Sequence, residues 1–336
     1  MPFRLTRLEV LLLAAIALSW IAQGVLLPKP APAPAGTEIR RTMETQRPAL
    51  EKRLREDPSL RRRFQLGLLG LMFLVLGSLL EWGRLFLRWI SGSAPEPPLG
   101  SPAPPAWGFR GIFRILLGIV LLIQCSVLFQ FFIFRLFHPA WLDRRVAALA
   151  DTLWVDLAVM FAAARLLSRG PGSVWNRERI SGSLGTAFRA YLFSAPLLIL
   201  LLLAVTMVLK LFRVEPPPQA IFTLYLSEER IAVVRVLLLL AVAAGPVAEE
   251  LFFRGLLYGW LRSRVGIARG IWISALLFAA LHMDPVAFLP ILGLGLLFGW
   301  VYERTGSLAA PIAIHVFHNG IMLYMASLIK ALAVQG

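Results

Sequence analysis

The stretch AEELFFRGLLYGW, Ala248 to Trp260, sets two carboxylates and a guanidinium inside a run otherwise apolar enough to cross a membrane. A charge at the centre of a membrane helix costs about 2.5–3.5 kcal/mol even on the insertion scale that penalises it least. Glu249, Glu250 and Arg254 therefore mean that the run lies outside the membrane, or that the charges compensate one another there. The rest of the chain argues for the second. Hydrophobic residues fill 58% of the 336 positions and charged residues 16%, and apolar runs of spanning length recur along almost the whole sequence.

These runs do not alternate, which excludes a barrel, and backbone groups in hydrocarbon must then be satisfied within helices. The expected fold is all-α, a polytopic transmembrane helix bundle of eight or nine spans. The spans fall at Leu8–Leu27, Leu66–Ile90, Ile112–Phe134, Val146–Leu167, Tyr191–Phe212, Ile231 to about Trp260, Ile271–Met283, Val286–Tyr302 and Ser307–Leu332. The first, preceded by Arg4 and Arg7, resembles a signal peptide, but its apolar run exceeds a usual signal core and favours an anchor. A charged loop follows, ending in the basic run Arg61, Arg62 and Arg63. The Pro-rich stretch SGSAPEPPLGSPAPPAWG then closes an N-terminal portion, residues 1–111, ahead of a helical bundle over 112–336.

The formal charge of +15 resides mostly between and beside the apolar runs, so it indicates contact with anionic lipids and topology signals rather than nucleic acid. Arg165, Arg169, Arg177 and Arg179, with Arg262, Arg264 and Arg269, favour a cytoplasmic side for the loops after the fourth and sixth spans. The basic loop after the first span argues the opposite way. One cysteine, Cys125, excludes an intrachain disulfide and is expected in packing.

Residues four apart share a helix face, so Glu250 and Arg254 pair and Glu249 points elsewhere, toward another partner. Three of the four histidines fall in late apolar helices: His282 in LLFAALHMDP, and His315 and His318 in IAIHVFHNGIM. At 1.5 Å per residue, Glu249 lies about 22 Å from the end of its helix at Arg264, and His282 about 18 Å from Gly270 on the same side. His315 and Asn319, again four apart, lie roughly 13 and 20 Å from Gly306, so all four groups reach a common depth. A carboxylate, two imidazoles and a carboxamide in low dielectric suit hydrolysis. Glu249 takes a proton from water, His282 assists, and His315 and Asn319 donate to a tetrahedral oxyanion. The same groups suit zinc as a His/His/Glu set, although no HExxH spacing is present.

The segments EELFFR (Glu249, Glu250, Arg254), FAALH (Phe278, His282) and HVFHN (His315, Asn319) occur in the order of the EExxxR, FxxxH and HxxxN motifs. Over Ile231 to Lys330 the chain thus resembles the CAAX protease and bacteriocin-processing (CPBP, or Abi) family of intramembrane proteases, with a protease core at about 190–330. Met1 to Leu184 has no recognised counterpart. The resemblance implies an endopeptidase in which Glu249 and His282 activate water and His315 and Asn319 form the oxyanion hole. Glu250, Arg254 and Phe278 support them. It also implies no required cofactor, with zinc the disfavoured variant, and a membrane-associated or lipidated peptide as substrate. In a bacterium the location would be the cell membrane.

Other polar positions have plainer readings. His318 is expected in packing or behind the site, and His138 at the interface. Asp151 and Asp156, five apart, do not share a face; they face the bundle interior or, in a transporter, carry protons. Gly295 and Gly299 permit close helix packing. Tyr324 and Met325 line either a groove or lipid. A catalytically silent scaffold or immunity protein and a proton-coupled transporter are the competing functions. Intact Glu249, His282, His315 and Asn319 argue against the first, and the absence of paired broken helices against the second.

Overall fold

The computed structural model describes residues 5–26, 54–137, 143–168, 180–213 and 220–333. The expectations for His138, for Arg169, Arg177 and Arg179, and for most of the first charged loop lie outside these residues. Among the described residues there is no strand. The helices are α1 (Arg7–Leu26), α2 (Pro58–Ile90), α3 (Phe109–Phe137), α4 (Arg144–Leu167), α5 (Ile180–Leu211), the short α6 (Ala220–Ser227), α7 (Ile231–Val265), α8 (Ile267–Leu281), α9 (Phe288–Thr305) and α10 (Ala309–Ala333). All nine expected segments are helical; α6 was not foreseen. Six of the helices are both long and apolar enough to cross a membrane: α2, α3, α4, α5, α7 and α10. The chain is an integral multi-pass membrane protein.

Local chemistry sets the helix ends. Asp57 caps α2, accepting from the amides of Ser59 and Leu60, with Pro58 at the first helical position. Asp143 caps α4 in the same way through Arg145 and Val146. Gly306, at φ 65°, ends α9 in the left-handed region.

Helices α1 and α3 run parallel. Glu9 near the start of α1 pairs with Arg114 near the start of α3 at 3.2 Å through their facing sides, while Gln23 further along α1 donates to the Gln124 carbonyl at 3.2 Å. The Pro-rich stretch lies against the ends of α7 and α9 as a strap. The amide of Leu99 donates to the Arg304 carbonyl at 2.9 Å, Arg304 donates to the Glu96 carbonyl, and the Trp107 indole donates to the Leu256 carbonyl at 3.1 Å. Leu167, at the end of α4, packs beside Gly255 of α7. The C-terminal end of α4 therefore lies beside the C-terminal half of α7.

The largest fully buried side chains include Leu256, Tyr258, Phe278, Phe298, Arg254 and Glu250, so the core is centred where α7, α8, α9 and α10 meet. The main departure from expectation is in α7. The sequence implies an unbroken α-helix, but π-helical turns occupy Leu240–Ala244 and Leu251–Tyr258, leaving Gly245–Glu250 as α-helix between them. Pro246 has no N–H and its ring crowds the carbonyl one turn back, so the chain widens before it. The amide of Gly245 reaches back to Leu240 instead. Side chains from elsewhere take carbonyls in the widened turns: Asn319 that of Ala241 at 2.9 Å, Ser274 that of Phe253 at 3.2 Å, and Trp107 that of Leu256. Cys125, expected in packing, is exposed on the outer face of α3.

Candidate active site

The glutamates lie between the two π-helical turns, the kind of distortion that recurs at functional sites. Glu250 and Arg254 are 0% exposed, and Arg254 Nη1 donates to Glu250 Oε1 at 2.9 Å, so the expected pair forms despite the wider helix. Arg254 Nη2 donates to the carbonyl of Gly295 at 3.1 Å. The guanidinium carbon lies 4.4 Å from the centre of the Phe278 ring and 5.1 Å from that of Phe298. A cation stripped of water thus gains a carboxylate, a carbonyl and two aromatic faces. That carbonyl is reachable because α8 and α9 approach closely: a Cβ on Gly295 would stand 3.0 Å from that of Ala275. Gly295 and Gly299 therefore serve the close packing read from their spacing, and Gly295 also supplies the acceptor.

His315 stands between the two glutamates. Its Nδ1 lies 2.9 Å from Glu250 Oε1, the oxygen that also accepts from Arg254, and its Nε2 lies 3.7 Å from Glu249 Oε2. A carboxylate held by Arg254 only accepts, so the hydrogen is on Nδ1 and Nε2 of the neutral ring faces Glu249 bare. Phe298 stacks on the imidazole at 4.8 Å between centroids, with the Phe278 ring edge-on at 5.8 Å. Glu249 is less enclosed than Glu250, with its side chain 35% exposed. Its inner oxygen, Oε2, is buried without a hydrogen-bond partner among the described residues.

His282 ends α8, its Nδ1 2.8 Å from the Phe278 carbonyl and its ring 4.7 Å from the Phe278 ring. The carbonyl only accepts, so Nδ1 carries the hydrogen and Nε2 offers its lone pair. Phe278 thus separates the two imidazoles rather than merely flanking the site. Asn319 lies one turn beyond His315, with one amide hydrogen given to Ala241. The structure brings Glu249, Glu250, Arg254, Phe278 and His315 into direct contact, with His282 and Asn319 on either side.

Zinc does not fit these side chains as they lie. Among the described residues no group of three His, Cys, Asp or Glu side chains can hold a metal ion. Both histidines give Nδ1–H to an oxygen acceptor and leave Nε2 bare, which by itself suits a metal ligand, so the misfit lies in the missing convergence of a third donor.

The remaining polar positions resolve individually. His318 Nδ1 meets the Tyr191 hydroxyl at 3.1 Å, behind the site. Asp151 accepts from Ser126 and from Gln130 at 2.7 Å. Tyr324 donates to the carbonyl of Arg63 at 2.6 Å and so docks on α2, while Met325 is exposed. Sequence spacing did not reveal Ser274, Trp107 or the Gly295 carbonyl, because their partners lie on other elements. Asp156 stood out only as a buried acid.

The three sequence motifs thus converge on a buried acid–imidazole–amide cluster within a multi-pass helix bundle. Residues 231–321, which hold all three motifs, match the family described as Type II CAAX prenyl endopeptidase Rce1-like. The chain is 35% identical over 86 residues to the membrane-embedded CAAX protease MroQ of Staphylococcus aureus (strain USA300), covering 24% of this chain and 34% of that one. It is 32% identical over 78 residues to the uncharacterized protein YpbD of Bacillus subtilis (strain 168), 22% of this chain and 37% of that one. To YdiL of the same organism it is 27% identical over 95 residues, 28% of this chain and 39% of that one. The chain spans less than two fifths of the length of each of these relatives. No solved structure matches it. The likeness to CAAX-type membrane proteases read from the three motifs is thus shared by the family match and by MroQ, and it supports a membrane protease.

Proposed function

We propose that the chain is an intramembrane endopeptidase that hydrolyses a peptide bond of a membrane-associated or lipidated substrate without a metal. The observation that carries this reading is His315 held between two glutamates, Nδ1 oriented by Glu250 and Nε2 directed at Glu249. Glu249 accepts a proton from water, which His282 Nε2 helps to orient, and the resulting hydroxide attacks the carbonyl carbon. The tetrahedral oxyanion receives the second amide hydrogen of Asn319. It also receives Nε2–H of His315 when that ring carries hydrogen on both nitrogens, the second taken up from water. Glu249 then returns the proton to the leaving nitrogen as the C–N bond breaks. Anionic lipids hold the basic surface, and nucleic acid has no part.

The test compares the termini of membrane proteins in cells carrying the wild type and Glu249→Ala. New termini present only with the wild type identify the substrate. Identical sets at equal levels of folded protein would leave the scaffold reading in its place.

A further inference from the structure

Asp156, on α4, lies outside the family-matched segment and has no role in the mechanism above. Its side chain is buried, and its Oδ2 is shielded from solvent with no hydrogen-bond partner among the described residues. Asp151, in the same helix, by contrast accepts at Oδ1 from both Ser126 and Gln130. An unsatisfied carboxylate oxygen deep in a membrane bundle calls for a reason.

The reason lies across the interface between α4 and α7. Asp156 Oδ2 sits 3.9 Å from the point where a Cβ on Gly245 would be, so the carboxyl rests over the bare backbone at that glycine. Gly245 and Glu249 are four apart within the α-helical piece Gly245–Glu250, and so share a face one turn apart. Glu249 is therefore the next side chain along the face that Asp156 covers, near enough for the two charges to act on each other. The Glu249 Oε2 atom is likewise shielded and without a hydrogen-bond partner among the described residues.

The charged groups facing this pair are few. From α7 they are Glu250 and Arg254, already paired, and from α10 His315. The charged residues of α3, Arg110, Arg114 and Arg135, sit at that helix's ends. One proton held between neighbouring carboxylates in low dielectric removes their mutual repulsion.

We propose that Asp156 is a positioning residue of the site: its carboxyl holds a proton that it donates to Glu249, directly or through one water, keeping Glu249 ionised and aimed at the substrate side. This rests on the hydrolytic reading of Glu249. It joins the N-terminal half of the bundle to the chemistry and gives Gly245 a function beyond the turn.

The experiment measures new membrane-protein termini in cells expressing the full chain as wild type, Glu249→Ala, Asp156→Asn and Asp156→Glu, per amount of folded protein. Asparagine keeps the shape but cannot supply a shared acidic proton. Asp156→Asn is expected to fold and to lose about 10²-fold or more of the cleavage rate, with Asp156→Glu regaining part of it. Cleavage by Asp156→Asn at the wild-type rate, with Glu249→Ala inactive, overturns the inference and leaves the endopeptidase reading standing. Wild-type cleavage by Glu249→Ala overturns both. Should Asp156→Asn fail to accumulate, the pH profile of cleavage in membranes carrying Asp156→Glu decides. A shared proton moves its acid limb from the wild-type position, and an unmoved limb overturns the inference.

Discussion

The amide of Asn319 donates to the carbonyl of Ala241 at 2.9 Å, joining α10 to the first widened turn of α7. The side chain assigned to the oxyanion also bridges two helices with its other hydrogen. Asn319→Ala should therefore do two separable things. Stability should fall by about 0.6–2 kcal/mol, the range for interhelical hydrogen bonds in membranes. The single-turnover rate per folded molecule should fall by about 10²–10³-fold, with little change in substrate affinity. A loss of stability with an unchanged rate constant would confine Asn319 to the bridge.

Glu249→Ala and Arg254→Ala should separate chemistry from folding. Removing Arg254 strips the buried Glu250 of its cation and leaves it the hydrogen bond from His315, at a cost of about 3–5 kcal/mol. Removing the half-exposed Glu249 deletes a carboxylate that the fold does not need, so cleavage should stop with the melting temperature in detergent nearly unchanged. Equal destabilisation by both, with activity tracking folded protein, would remove Glu249 from its role.

Cleavage is expected to survive exhaustive chelation, since Glu249 acts as a base and, among the described residues, no three His, Cys, Asp or Glu side chains are grouped to hold a metal. Loss of activity restored by stoichiometric zinc would show that the side chains rearrange around a metal.

Gly306→Ala tests the strap. At φ 65° a side chain costs about 1–2 kcal/mol, and here its Cβ would stand 2.8 Å from the Ser101 carbonyl oxygen. The variant should melt earlier, and limited proteolysis should cut within residues 91–108 sooner than in the wild type.

At the opposite end, Glu228 is held well below the usual carboxylate range, first by its hydrogen bonds from Arg230 and then by those from the Arg230 amide and Arg145. Asp143 is lowered too, by the Val146 amide it caps and by Arg230. Depressed carboxylates stabilise the fold above their unfolded values, 4.5 for Glu228 and 3.8 for Asp143, and lose that contribution as pH falls below them. Thermal stability should therefore decline below about pH 4.5, and Glu228→Gln should melt lower at neutral pH and show a shallower decline. Parallel pH curves for the two proteins would count against the cluster.

The site residues were legible because a charge in an apolar run has few explanations and a four-residue spacing fixes a face. Glu250 with Arg254, and His315 with Asn319, followed from that rule alone. The widened turns were not legible: Gly245 and Pro246 mark a disturbance, but whether the helix kinks or widens depends on side chains from other elements taking the freed carbonyls. Asn319, Ser274 and Trp107 do so from 78, 21 and 149 residues away. Asp156 illustrates the same limit. Along the sequence it pairs with Asp151, whereas its neighbour in space, Glu249, lies two spans on. Nor does periodicity show that a Pro-rich stretch will lie against the bundle, since its partners, Arg304 and Leu256, lie on distant helices.

The brevity of α8 has a consequence for the lipid around it. Fifteen residues reach about 22 Å, short of a hydrocarbon layer of about 30 Å. Hydrophobic mismatch of this size thins the adjacent leaflet or draws water toward the helix tip, where Leu281 and Met283 are 69% and 89% exposed. His282 sits between them at that thinned margin. A peptide bond entering from this flank crosses less oil than one entering elsewhere, and the water that must attack it crosses less as well.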